Sequence, residues 1–425
     1  MTSAPPRAAP APGTARSAFA SRHFRIVWSG ALAANIGSWM QNVVVSAYAF
    51  ELTRSPTFVS LIVFAQLGPL LLLSIVGGVL ADTVDRRRLL VGAQLEQLVA
   101  SVGLAVLVFV GDPPEVALFA VVLAVGVGKA LNAPAWVAVV PDLVDREDLA
   151  GAISLNSAQM NGSRVVGPAL GGLLIPLVGV AGVFAIGAFG YLFSVASLLV
   201  VDIPATPRRG ESSEGWRRLV AGFSVARHDP LVRRVLVTLF IFSFLCLPFV
   251  GQMPTVASEN LGIRPTGLAY GLLYACFGFG ALLGALSIGT VLASYSKTTI
   301  VRVGLACFAV SLAVFALLRA PAPAYPVVTV LGFCYFAAIT SLNTVLQAHL
   351  HDAVRGRVMS LWLMGFGGTV PIGLLVAGPL AEATSITVVM LYGVVVAVLL
   401  AWYADLRSAK EAARRAAPGR LPGSP

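Results

Sequence analysis

Long apolar runs alternate with short polar breaks along this chain, on a scale far longer than a helix or strand repeat. A helix needs about 20 apolar residues to cross a ~30 Å hydrocarbon core. Runs of that kind fall near 25–50, 57–81, 89–110, 116–139, 155–177, 181–201, 233–256, 267–290, 299–318, 325–347, 358–380 and 385–404. They are continuous and lack the in–out alternation of membrane-barrel strands. The expected fold is therefore all-α and integral to the membrane, with twelve transmembrane helices. The breaks are short except at 202–232, which carries Arg208, Arg209, Arg217, Arg218, Arg227 and His228 and predicts an amphipathic helix around Trp216–Ala226. That break divides the chain into a disordered arm (1–21), a six-helix bundle (22–201), a central loop (202–232), a second six-helix bundle (233–405) and a disordered tail (406–425). The arm lacks the short apolar core and cleavage site of a secretory signal, so the first span is expected to stay in place.

The two halves echo each other. Pro141 through Leu149 leads into span 5, and His351 through Met359 leads into span 11 at the equivalent place. Parallel repeats of six helices form a pseudo-symmetric transporter architecture, with the binding site near mid-membrane where the repeats meet.

Composition agrees. The chain is 57% hydrophobic and 11% charged, less than half the ~25% charge of soluble domains. The net charge of +10 does not point to nucleic acid, because the basic residues flank apolar runs rather than mingling with aromatics. With the N-terminus inside, the inside segments hold 24 Lys and Arg and the outside loops hold 3, namely Arg54, Arg264 and Arg319. That bias places both termini in the cytoplasm and the protein in the plasma membrane as a multi-pass chain. Cys246, Cys276, Cys307 and Cys334 all lie in apolar runs and read as small hydrophobes, with no disulfide or metal spacing.

Gly77 through Arg88 joins spans 2 and 3, with Gly78 followed four residues later by Asp82 and then by Arg86, Arg87 and Arg88. This resembles the signature loop of the major facilitator superfamily, although Thr83 and Asp85 stand where that family usually has a basic residue and a glycine. The alternative is a plain membrane-flanking charge cluster. The second-half counterpart has Ala293 in place of the acid, so a latch would rest on the first half, with Arg355 and Arg357 at the start of span 11 as partners. Span 5 holds Gly167, Pro168, Gly171 and Gly172. It is similar to the antiporter motif of the superfamily, and a packing kink is the other reading. Three further pieces together resemble the exporter branch that includes enterobactin and macrolide efflux proteins. One is Asn35 through Asn42, and another runs from Pro141 to Arg164 ahead of Gly167. The third is Gln347 with Arg355 through Ser360. What this resemblance implies is export driven by the proton gradient.

Three charges lie within spans: Glu96, Lys129 and Arg164. Intramembrane charges are costly and mark function by default. Glu96 and Lys129 stand about 8 and 10 residues from the same end of their helices, a difference of only about 3 Å, so an ion pair between them is expected if their faces agree. Glu96, as the acid, is the proton-coupling candidate. Lys129, Asn132 and Trp136 share a helix face, as do Asn35, Ser38 and Asn42, and Asn343 with Gln347. In the superfamily, spans 1, 4, 7 and 10 line the cavity. These residues, with Gln41, Arg164 and Gln252, are therefore cavity candidates; interhelical hydrogen bonding is the alternative. The pairs Tyr270–Tyr274 and Trp362–Phe366 read as lipid-facing packing, with cavity walls as the second reading. His23 and His228 read as solvated, and His349 and His351 lack a ligand set for metal. Gly128-Lys129-Ala130 lacks the spacing of a phosphate loop, which argues against direct ATP drive. No enzyme signature, metal site or cofactor is expected. The expected protein is a monomeric, proton-coupled exporter of a small, partly apolar metabolite, siderophore or drug. A nutrient importer of the same fold and a non-transporting membrane sensor are the competing readings.

Overall fold

The computed structural model describes residues 13–202 and 223–406. The side chains of Leu72, of residues 74–83 and of Asp352 and Ala353 fall outside that description, as does most of the expected 216–226 helix. Every regular element among the described residues is helical. In hydrocarbon a helix satisfies its own backbone, and these runs are apolar enough to need that.

The helices are α1 (Arg22–Thr53), α2 (Pro56–Thr83), α3 (Arg86–Val110) and α4 (Glu115–Val139). The run Leu149–Val200 folds back at Gly179, giving α5 (149–178) and α6 (180–200). Gly179 has φ +70°, a left-handed conformation that favours glycine. In the second half, α7 (230–260) is a broken run of short α and π pieces beginning with Pro230–Ile241. It is followed by α8 (Leu268–Ser287), α9 (Lys297–Leu317) and α10 (Pro321–His349). Then come α11 (352–383), which also contains a π turn, and α12 (Ile386–Tyr403). Nine described runs are long and apolar enough to cross a membrane by themselves. One of these is the folded α5–α6 pair. Two more complete the set of twelve: α1, whose polar stripe dilutes a 32-residue helix, and α2, which is apolar over Pro56–Leu71.

Each half has its own core, and Val43 and Ala47 of α1 join the second one. Met40, Val44, Ile62, Leu104, Leu118 and Phe184 are buried together in the first. Leu239, Phe242, Phe308, Leu312, Tyr335 and Met390 are among those buried together in the second. Tyr270 and Trp362 are 2% and 5% exposed and belong to this second core, which corrects their reading as lipid-facing. A helix that is apolar all round gives no sign of which face looks inward.

The first turn of α1 and the first turn of α7 are capped in the same way. Ser21 accepts from Phe24 N–H and donates to the Leu143 carbonyl at 3.0 Å, beyond the end of α4. Asp229 accepts from Leu231 and Val232 N–H and meets His349 Nε2 at 2.7 Å, at the end of α10. In each half, one N-cap residue therefore ties the first helix to the fourth on the face that carries the chain ends, the terminal face. The N-terminal arm joins this face earlier than expected. A short helix (Ala15–Ala20) is capped by Thr14. Gly13 N–H and Ser17 Oγ both bond Asp148, at 3.0 and 2.6 Å, and Ala18 is wholly buried. Composition alone did not show this, because the acceptor lies some 130 residues away.

Candidate functional site

The two halves meet along a seam, and its ends differ. At the far end, away from the chain ends, cross-half contacts are dense. Gln252 Nε2 of α7 donates to Pro56 O and Ser60 Oγ of α2 at 2.7 and 2.6 Å. Arg264 pairs with Glu51 at 3.2 Å, Arg54 reaches Ser258 at 3.5 Å, and Glu382 accepts from Ser55 Oγ and Thr57 N–H at 2.8 and 3.2 Å. Gly172 of α5 and Gly271 of α8 touch backbone to backbone: a Cβ on Gly271 would stand 2.5 Å from Gly172 Cα. At the terminal face, the hydrogen bonds and ion pairs found among the described residues stay within one half. Arg86 bonds Asp142 at 2.8 Å and Ala138 O at 3.1 Å, Arg87 bonds the Leu198 and Leu199 carbonyls, and Arg234 bonds the Asp405 carbonyl. The seam is shut at the far end and unbridged at the terminal face among those residues.

The three embedded charges lie between these ends. Lys129 Nζ donates to Asn42 Oδ1 at 2.5 Å, an interhelical hydrogen bond that joins the polar stripes of α4 and α1. The expected Glu96–Lys129 ion pair is not formed. The Glu96 carboxylate lies against Gly128, where a methyl group would overlap it, and its Oε2 is buried without a partner among the described residues. Neighbouring helix positions point about 100° apart, so Gly128 faces Glu96 while Lys129 faces α1. Arg164, midway along α5, sits over Trp39 of α1 at 5.1 Å and Phe336 of α10 at 5.6 Å.

Other candidates are placed as follows. Asn35 and Ser38 are half-buried on α1. Asn132 accepts from Gln94 at 3.2 Å, and Trp136 donates to Asn156 at 2.8 Å. Gln347 donates to Asn343 at 3.0 Å and is exposed. Two candidates depart from the cavity reading. Gln41 is 3% exposed, its amide spent on Phe184 O and Ser101 Oγ inside the first bundle. Gln252 is fully buried in the far-end seal, also accepting from Thr255 at 2.7 Å. Gly167 and Gly171 press on Trp39, Met40 and Val44 of α1, and Pro168 O faces Gly271. That motif therefore packs α5 between the halves. Of the latch, Arg86 and Arg87 have partners within the first half, while Arg88 and Arg357 are exposed. Arg355 reaches Leu350 O at 3.4 Å. Gly78 and Asp82 lie on α2 with side chains outside the described residues.

Sequence reasoning missed the His349–Asp229 pair, although Asp229-Pro230 at a helix start was a legible cap signal. It also missed the aromatic neighbours of Arg164, which come from helices far apart in the chain. Among the described residues no three His, Cys, Asp or Glu side chains group as metal ligands.

A family model described as transmembrane secretion effector matches residues 13–420. The enterobactin exporter EntS of Citrobacter koseri is 28% identical over 364 residues, covering 82% of this chain and 80% of that protein. Among solved structures, a bacterial homologue of the human lysosomal transporter Spinster, in an inward-facing and unoccupied conformation, superposes with a TM-score of 0.74. It is 14% identical, over 94% of this chain and 99% of that one. A POT family transporter in complex with 5-aminolevulinic acid superposes with a TM-score of 0.72 at 13% identity, over 90% and 95% of the two chains.

Proposed function

This chain belongs to the transmembrane secretion effector family of major facilitator transporters, and from that premise we propose a proton-coupled exporter of a small, partly apolar metabolite, siderophore or drug. The observation that supports it best is the seam between the halves, sealed at its far end by cross-half contacts, with charged groups embedded beyond that seal. A fixed site reached from alternate sides is what alternating access requires. The 24-to-3 charge bias assigns the terminal face to the cytoplasm and the protein to the plasma membrane. In that frame the far-end seal lies on the outer side, and cargo would enter from inside.

The cycle has three parts. Cargo enters between the halves and meets the stripe of Asn35, Ser38, Asn42 and Lys129. The far-end seal of Gln252, Glu382 and the Gly172–Gly271 contact then opens as the terminal face closes. The loop of Gly78, Asp82 and Arg86–Arg88 closes against the start of α11 near Arg355 and Arg357, acting as the gate. An ion must favour one of the two states for the cycle to be driven. Glu96, whose buried Oε2 has no partner among the described residues, takes that role, exchanging a proton as its exposure changes between the two states. The monomer suffices, since each six-helix half supplies part of one pathway.

Export is tested by comparing culture medium from a strain carrying the gene with medium from its deletion. A compound missing from the deletion medium is then offered to everted vesicles under an acid-inside gradient. Concentration of that compound inside the vesicles supports export. Accumulation only in right-side-out vesicles would establish the importer instead.

A further inference from the structure

Arg164 is the embedded cation that the pathway above leaves unused. It is half-buried, midway along α5 at the seam. Its charge lies over one ring from each half, Trp39 and Phe336. Attraction to a ring face holds the charge and makes no use of the five N–H donors of a guanidinium. Those donors find no hydrogen bond or carboxylate among the described residues. Nor are its nitrogens among the buried atoms that lack partners; they face accessible space. A half-buried guanidinium at the seam, with unspent donors, suits an oxyanion, which its planar fork matches better than a lysine does.

The surroundings specify more. Phe336 is the near edge of an aromatic wall. Tyr335 meets it edge-on at 4.6 Å and stacks on Phe277 at 6.1 Å, and Tyr274 meets Phe277 at 6.5 Å. Tyr335 and Phe277 are buried in the second core, Tyr335 also stacking on Phe242 at 5.9 Å, so they back Phe336, whose half-buried ring is the part a further flat ring can meet. The charge balance points the same way, because the embedded groups are two cations and one acid, and Lys129 is already engaged by Asn42.

We propose that the cargo is an aromatic organic anion, its carboxylate- or sulfonate-like group held on the edge of Arg164 and its ring against Phe336, which the Tyr335 ring backs. This rests on the reading of the seam as a transport pathway. It says nothing about direction: an importer with this site would show the same preference.

The test is equilibrium binding without any gradient, on the full chain in nanodiscs, with empty nanodiscs subtracted. The probes share one ring system and differ in charge: 2-naphthoate, 2-naphthamide and 2-naphthylmethylammonium. Wild type should bind the naphthoate at least ~10-fold more tightly than the amide, the scale of one charge-assisted hydrogen bond, and the cation most weakly. Arg164→Gln should abolish the preference while leaving amide affinity in place, which also shows the variant is folded. Arg164→Lys should keep part of it. Equal binding of naphthoate and amide by wild type, no binding of any probe, or a preference that survives in Arg164→Gln would overturn the proposal. Vesicle flux fails separately if the export reading is wrong, because binding here needs neither direction nor proton.

Discussion

Replacing Gln252 by Leu tests the far-end seal at nearly constant volume. The amide of Gln252 makes two bonds across the seam, at 2.7 and 2.6 Å, and both acceptors are on α2. Each such bond contributes about 0.5–1.5 kcal/mol net. Neither survives when the halves part at this end, so the substitution lifts the far-closed state by about 1–3 kcal/mol relative to the far-open one. The population ratio should then move by roughly 5–150-fold toward far-open. Ser60 Oγ can turn to a helix carbonyl and Pro56 O remains within its own helix, which holds the effect toward the lower figure. Spin labels at Glu115→Cys and Thr384→Cys, both exposed at the far end of opposite halves, report the change by double electron–electron resonance. A longer distance component should appear or grow in Gln252→Leu. An unchanged distribution in a variant of unchanged thermal stability would mean that this amide only packs α7, and the closure argument would lose its best-placed contact.

Other expectations follow from the same geometry. Glu96→Gln should abolish proton-driven efflux in everted vesicles while leaving cargo binding intact; full efflux by the variant would remove Glu96 from coupling. Cysteines at Ser3 and Ser424 should be labelled only from the cytoplasmic side of intact cells, and labelling from outside would invert the topology. Burial pushes the Asp229 carboxyl up, but bonds from His349 and from the Val232 and Leu231 amides outweigh it and hold the group below its ordinary value. Its folded pKa is thus below its unfolded one, and the stabilisation is complete above the unfolded carboxylate range near ~4 and lost as pH falls through the folded value. Asp229→Asn keeps the cap, so it should cost only about 0.5–1 kcal/mol at pH 7. In detergent melts, that difference should shrink toward acid pH, and a difference independent of pH would refute the linkage.

The twelve spans were legible because a bilayer sets a minimum apolar length that few other structures need. Which side of each span looks inward was less so. Asn42, read as a cavity residue, bonds Lys129 of α4, while Gln41, one position away, is committed to the bundle interior. Around a uniformly apolar helix, one amide gives no more hint of direction than its neighbour. Gln252 shows a second limit. A π turn at Phe242–Cys246 precedes it, so a helical wheel drawn from Pro230 is out of phase by the time it reaches that residue. The ties of Asp229 to His349 and of Gly13 and Ser17 to Asp148 join positions more than a hundred residues apart. Local pattern shows that a cap exists but not what else it will hold.

The π turns have a mechanical consequence. Three occur among the described residues, at Phe242–Cys246, Val256–Asn260 and Met364–Gly368, all in the C-terminal half and all on α7 and α11. Each is a surplus residue wound into the helix, and absorbing it into regular α geometry turns everything beyond it by about 100°. A helix can therefore slip its register at such a turn without breaking. The N-terminal half holds Glu96, Lys129 and Arg164, and its described helices are free of such turns. In the proposed cycle, the half that carries the charges would move on helices without π turns, and the other would supply slack at these joints. If the terminal face closes as proposed, α7 and α11 are where that slack should be taken up.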